Sequence, residues 1–241
     1  MKKLLRVARA FRLADIAIAL DVLSREAAFA LIDRLPSAAD FFKVGLELFV
    51  REGPSFVREL RLSERRVFLD LKLHDIPNTV SAASRASAEL EVDLLTVHAS
   101  GGPRMIEAAR AAVEGSRTSV VAVTVLTSLS SNEVSECWGR AGTDRKMEAV
   151  RLAHLAVESG AHGVVASPND VPAIRRALPV GSVIVTPGIR FLGDSPDDHA
   201  GVSTPREAVR AGSDVLVIGR SVTRAGDPGD AFRRIRSEIS I

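Results

Sequence analysis

The sequence predicts an α/β fold, a single-domain (β/α)₈ barrel. Two observations carry the prediction. Strand-like apolar runs alternate with helical patterns along all 241 residues, and polar residues follow nearly every run on its carboxyl side. The alternation is that of parallel α/β architecture. The polar placement points to closure, because active sites of such barrels gather at the carboxyl ends of the strands. A doubly wound open sheet shares the alternation but does not require polar residues after nearly every strand.

Eight runs read as strands: Ile16–Leu20, Phe41–Val44, Val67–Leu71, Leu94–Val97, Val120–Leu126, Gly163–Ala166, Val183–Val185 and Val215–Ile218. The first leads into Asp21, the second carries Lys43, and the third carries Asp70 and Lys72. The fourth ends in His98-Ala99, the fifth in Thr127-Ser128 and the sixth in Ser167. The seventh runs into Pro187-Gly188-Ile189-Arg190 and the eighth into Gly219-Arg220. Between the strands, Ser24, Asp170 and Thr204 read as helix N-caps, with Pro172 and Pro205 in the first turns of their helices. Gly101-Gly102-Pro103 reads as a turn opening a helix, whose free N–H groups could also face an anion. The stretch Thr127–Thr143 reads as a long βα loop able to serve as a lid.

Composition sets bounds. At 46% hydrophobic, the chain can bury a sizeable core. Its 32 basic and 30 acidic residues nearly cancel, leaving +2 and no global footprint for nucleic acid. One cysteine, Cys137, excludes an intramolecular disulfide and suits a reducing cytoplasm. No apolar run is long enough to cross a membrane. Residues 1–14 hold Lys2, Lys3, Arg6, Arg9 and Arg12 without a long apolar core or a convincing cleavage site. They read as a basic N-terminal extension and not a targeting segment, and residues 15–241 as the catalytic barrel.

The chemistry concentrates in Val67–Thr79, V-F-L-D-L-K-L-H-D-I-P-N-T. On a regular strand, residues two apart share a face, so Asp70 and Lys72 are expected to point the same way. Asp75 follows where the strand should break, before Ile76-Pro77. Three charges set into a hydrophobic strand are costly to bury unless they pair or do chemistry. A structural ion pair is the simpler reading of Asp70 and Lys72 taken alone.

The full string Asp70–Thr79 closely resembles the signature of the orotidine 5′-phosphate decarboxylase family. Further matching pieces are Ala19-Leu20-Asp21, Phe42-Lys43-Val44-Gly45, Thr96-Val97-His98-Ala99, Val125-Leu126-Thr127-Ser128, Thr186-Pro187-Gly188-Ile189-Arg190 and Gly219-Arg220. The resemblance implies decarboxylation of orotidine 5′-monophosphate to UMP and CO₂, the last step of pyrimidine synthesis. It implies an alternating charged array of Lys43, Asp70, Lys72 and Asp75, with Asp75 supplied by the other subunit of a homodimer. It further implies that Asp21 and Lys43 contact the ribose hydroxyls, that Asp75 and Thr79 contribute across the interface, and that Thr127 contacts the pyrimidine. Arg190, Gly219 and Arg220 are the expected phosphate site, where barrels often hold phosphate after the seventh and eighth strands.

The implied reaction leaves a carbanion at C6 with no adjacent carbonyl to delocalise it. The sequence carries neither a cofactor fingerprint nor a metal-ligand cluster, so the expectation is catalysis by prepositioned charge without cofactor or metal. Lys72 is the expected carbanion partner and proton donor. The chain departs from the family at two places: His199 stands where Gln is common between phosphate and pyrimidine, and Ser221 follows Arg220 where Pro is frequent. Two other readings compete, a metal-dependent sugar-phosphate decarboxylase or aldolase of the same superfamily and a catalytically silent nucleotide-binding barrel.

Overall fold

Strands buried on both faces read as near-continuous apolar runs, and the eight runs do form strands. In the computed structural model, which describes residues 14–191 and 202–240, they are β1 Asp15–Ala19, β2 Phe41–Gly45, β3 Arg66–Leu73, β4 Leu94–His98, β5 Ser119–Val123, β6 Gly163–Val165, β7 Val183–Thr186 and β8 Val215–Ile218. All pair in parallel in sequence order, and β8 returns to β1 to close the barrel. The helices around it are α1 Arg25–Ile32, α2 Leu46–Leu62, α3 Pro77–Glu89, α4 Pro103–Ala112, α5 Ser131–Trp138, α6 Arg145–Glu158, α7 Val171–Ala177, α8 Pro205–Ala211, α9 Arg220–Thr223 and α10 Pro228–Ile239. No helix among the described residues is long and apolar enough to cross a membrane.

The period-2 pleat divides each strand between two cores. Ala17, Ala19, Phe41, Phe68, Leu94, Val121, Val183, Val185, Val215 and Val217 point inward and fill the barrel. Their neighbours, among them Ile18, Phe42, Leu69, Leu95, Val120 and Ile184, point outward under the helices. Each fully buried Phe or Leu contributes about 1.5–3 kcal/mol through burial. Gly163 is required by close approach: a Cβ there would sit 2.0 Å from the Val183 carbonyl oxygen.

Local signals explain most element ends. The Ser24 hydroxyl accepts the Ala27 N–H at 3.3 Å, and Thr204 forms a full capping box with Glu207. Asp170 stands at the N-cap position of α7 without acting as a side-chain cap. It precedes α7 in helical conformation (φ −95°, ψ −23°) and makes no capping hydrogen bond. Its carboxylate instead takes Arg145 Nη1 on both oxygens, at 3.0 and 2.9 Å. Burial still pushes its carboxyl above the usual range, against the pull of Arg145.

Residues 127–143 are not one long loop. Ser130-x-x-Glu133 is a capping box that starts α5, and Gly139 ends it in left-handed conformation. The fifth strand stops at Val123, short of Leu126. The Thr124 N–H and hydroxyl both donate to the Val165 carbonyl, at 3.2 and 3.0 Å. The hydroxyl thus shares the carbonyl that takes the N–H just beyond the last residue of β5. Gly101-Gly102-Pro103 is a turn, with a 3₁₀ segment Ala99–Gly101 leading into α4.

Candidate active site

The inward-facing positions of β2, β3 and β4 continue past the apolar plug. Two residues beyond Phe41, Phe68 and Leu94 on the same face stand Lys43, Asp70 and Thr96. A polar layer therefore rests on a floor of two phenylalanines and a leucine, at the carboxyl end of the barrel.

The charges form a chain. Asp21 Oδ1 lies 3.1 Å from Lys43 Nζ, Lys43 Nζ lies 3.9 Å from Asp70 Oδ2, and the same oxygen accepts Lys72 Nζ at 2.8 Å. The Lys43 and Asp70 side chains are 12% and 13% exposed, whereas Lys72 is 39% and Asp21 62% exposed. The inner pair is thus held against the floor while the Lys72 ammonium faces the mouth. At 2.8 Å and an effective dielectric of 20, Lys72 and Asp70 attract by about 6 kcal/mol before desolvation is counted. Gly45 leaves room for this arrangement, since a Cβ there would come within 3.0 Å of Lys43 Nζ.

Asp70 and Lys72 meet, but not through a regular pleat. Along β3, Leu69 faces Leu95 and Leu73 faces Val97, so four steps of β3 match two of β4. The surplus is taken up as a bulge in which Lys72 adopts left-handed backbone, φ +52°. Its N–H donates to Thr96 Oγ1 at 2.8 Å, and the Thr96 hydroxyl donates to Asp70 Oδ1 at 3.0 Å. Thr96 is fully buried. Sequence reasoning quoted Thr96 without giving it a role. The available signal was a hydroxyl at an inward position of an otherwise apolar strand.

The other expected residues spread around the rim. Asp75 is exposed, and its Oδ1 accepts the Ile76 N–H at 2.6 Å. Among the described residues it forms no ion pair with Lys72. Thr79 is exposed in the first turn of α3, and Thr127 is half-buried in the turn after β5. Arg190 follows β7, where its N–H donates to the Ser203 carbonyl at 3.0 Å and Ser203 N–H donates to Gly188 O at 3.3 Å. Gly219 follows β8 and precedes α9, which begins at Arg220. Arg190 and Arg220 border a cavity of about 500 Å³ together with Arg224 and Arg234, two arginines the motifs do not include. His199 lies outside the described residues, as does nearly all of the basic extension. Beside Lys72, the His98 and His74 rings stack with centroids 5.3 Å apart. Burial holds the His98 imidazole below its ordinary range, with His74 and Lys72 adding to the effect.

Comparison with known proteins gives a consistent picture. A family profile described as orotidine 5′-phosphate decarboxylase / HUMPS family matches residues 14–235. Orotidine 5′-phosphate decarboxylase of Moorella thermoacetica is 48% identical over 94% of this chain and 92% of its own length. That of an Anaeromyxobacter species is 52% identical over 82% of this chain and 86% of its own. The crystal structure of orotidine 5′-phosphate decarboxylase from Lactobacillus acidophilus superposes with a TM-score of 0.83 at 34% identity, covering 95% of this chain and all of that one. By sequence and by fold, the chain belongs to the orotidine 5′-phosphate decarboxylase / HUMPS family.

Proposed function

We propose that this barrel decarboxylates orotidine 5′-monophosphate to UMP and CO₂ in pyrimidine biosynthesis, using its own charges and no cofactor or metal. The observation that carries the reading is the chain Asp21–Lys43–Asp70–Lys72 on the barrel floor. The C6–carboxylate bond breaks and CO₂ departs, leaving the electron pair on C6. The Lys72 ammonium stabilises that carbanion and transfers a proton to it from Nζ, and solvent then returns a proton to the lysine. Asp70 sits beside the departing carboxylate. At about 4 Å and an effective dielectric of 20, their repulsion is roughly 4 kcal/mol, relieved as CO₂ leaves. This is a minor share of a barrier reduction that can reach about 20 kcal/mol. The greater share falls to a preorganised field acting on developing charge.

Asp21 and Lys43 bind the ribose hydroxyls and Thr127 the pyrimidine. Arg190, Gly219 and Arg220 hold the phosphate, where a guanidinium offers a planar fork to oxygen pairs. His199 takes the bridging place between phosphate and base. Binding energy from the phosphate, remote from the reacting carbon, organises the site. Asp75 and Thr79 act in the neighbouring site of a homodimer. Their exposure on the rim supports this, as does that of Ile76 beside them. The setting is cytoplasmic. A metal-dependent sugar-phosphate enzyme would need a Mg²⁺ site built from acidic ligands near Asp70 and Asp75, whereas the Asp70 oxygens take Lys72, Lys43 and the Thr96 hydroxyl.

The test is incubation of purified protein with orotidine 5′-monophosphate. Equimolar UMP and CO₂ are expected. Protein that binds UMP but forms neither product from orotidylate would overturn the reading.

A further inference from the structure

We propose that Thr96 is a positioning residue for the decarboxylation, through a single hydroxyl that sets both the Lys72 backbone and the Asp70 carboxylate. The inference rests on the function proposed above and adds a residue to it. In a regular strand the Lys72 N–H would face β2, as that of Arg66 does in donating to the Asp40 carbonyl. Across the register shift between Leu69 and Leu73 it turns to β4 instead and donates to Thr96 Oγ1 at 2.8 Å.

Lys72 needs such a clip. Its φ of +52° lies in the left-handed region, disfavoured for any residue with a side chain. This conformation departs from the pleat just where the reacting ammonium is carried. The same hydroxyl has one proton and gives it to Asp70 Oδ1 at 3.0 Å, leaving Oδ2 turned to Lys72 Nζ at 2.8 Å. One buried oxygen thus accepts from the backbone of the proposed acid and donates to its carboxylate partner. Thr96 itself stays beneath the array, fully buried on the inner face of β4.

The geometry predicts an order of substitutions opposite to that of packing. Valine keeps the shape of Thr96 and removes the hydroxyl, whereas serine keeps the hydroxyl and removes a methyl. If Thr96 positions, Thr96→Val lowers kcat on the order of 100-fold, the cost of displacing a reacting group by about 1 Å. KM and UMP affinity then stay near wild type, and Thr96→Ser keeps most of the activity. If Thr96 only fills space, the valine variant is the better enzyme. Should Thr96→Val fail to fold, Thr96→Ala set against Thr96→Ser makes the same comparison.

A second readout is independent of turnover. Amide hydrogen exchange at Lys72 should speed up in Thr96→Val and stay slow in Thr96→Ser. A valine variant that matches or exceeds serine in kcat, or leaves Lys72 exchange unchanged, overturns the proposal. If wild-type protein fails to turn over orotidylate, the proposed function is lost, while the exchange measurement still decides whether Thr96 holds Lys72.

Discussion

Replacing Lys72 by alanine removes the group proposed to meet the reacting carbon. If the ammonium meets the C6 carbanion at the same 2.8 Å at which it meets Asp70, the attraction lost is about 6 kcal/mol at an effective dielectric of 20. That corresponds to about four powers of ten in rate. Loss of the proton donor removes about two to four more, so a fall of about 10⁶ or greater is expected. Alanine is the informative choice because it keeps the left-handed strain that Lys72 bears. Glycine would relax that strain by about 1 kcal/mol and confound the comparison. Turnover is followed by the absorbance of orotidylate, and UMP binding by calorimetry. Binding should survive, since the proposed phosphate and ribose contacts are untouched. A folded Lys72→Ala protein that loses less than about 100-fold in kcat, below what a single acid catalyst supplies, would refute the role of Lys72.

Mixing Lys72→Ala with Asp75→Ala subunits should restore activity, because each hybrid dimer holds one site lacking both groups and one intact site. Random re-pairing makes about half the dimers hybrids and returns about a quarter of wild-type activity under two-fold symmetry. No recovery among hybrids shown to form would count against a shared site. Gly163→Ala forces a Cβ toward the Val183 carbonyl and should destabilise by about 1–3 kcal/mol or more. A melting temperature equal to wild type would contradict this close approach. Glu148 is nearly buried, and its hydrogen bond from Arg151 holds its carboxyl below the usual carboxylate range, with Arg140 assisting. Its stabilisation is therefore present above the unfolded pKa of about 4.3 and lost as pH falls through the lower folded value. Because both arginines are about half exposed, Glu148→Gln should cost only about 1 kcal/mol at neutral pH. Denaturant melts of the two proteins should converge in acid, and a gap that widens there would reverse the assigned sign.

The barrel was legible because its strands are apolar on both faces and its polar residues fall at one end of them. The array was legible in part. Asp70 and Lys72 were expected together because residues two apart share a face of a regular strand. They do meet, but through a bulge with left-handed Lys72, which a two-residue periodicity does not describe. Thr96 went without a role because its importance depends on the register between β3 and β4, set by how the strands pair and not by either strand alone. Asp170 holds the N-cap position that the sequence indicates but does not cap with its side chain, because its carboxylate is taken by Arg145, 25 residues away. The helix within residues 127–143 could have been found, since Ser130 and Glu133 have the spacing of a capping box.

The central claim is that fixed charges of this chain perform the decarboxylation unaided. Its most direct test is kcat/KM for orotidine 5′-monophosphate before and after exhaustive dialysis against EDTA, with metal content verified. The account predicts the same value in both preparations, with UMP as product. A loss of activity on chelation that Mg²⁺ restores would contradict it.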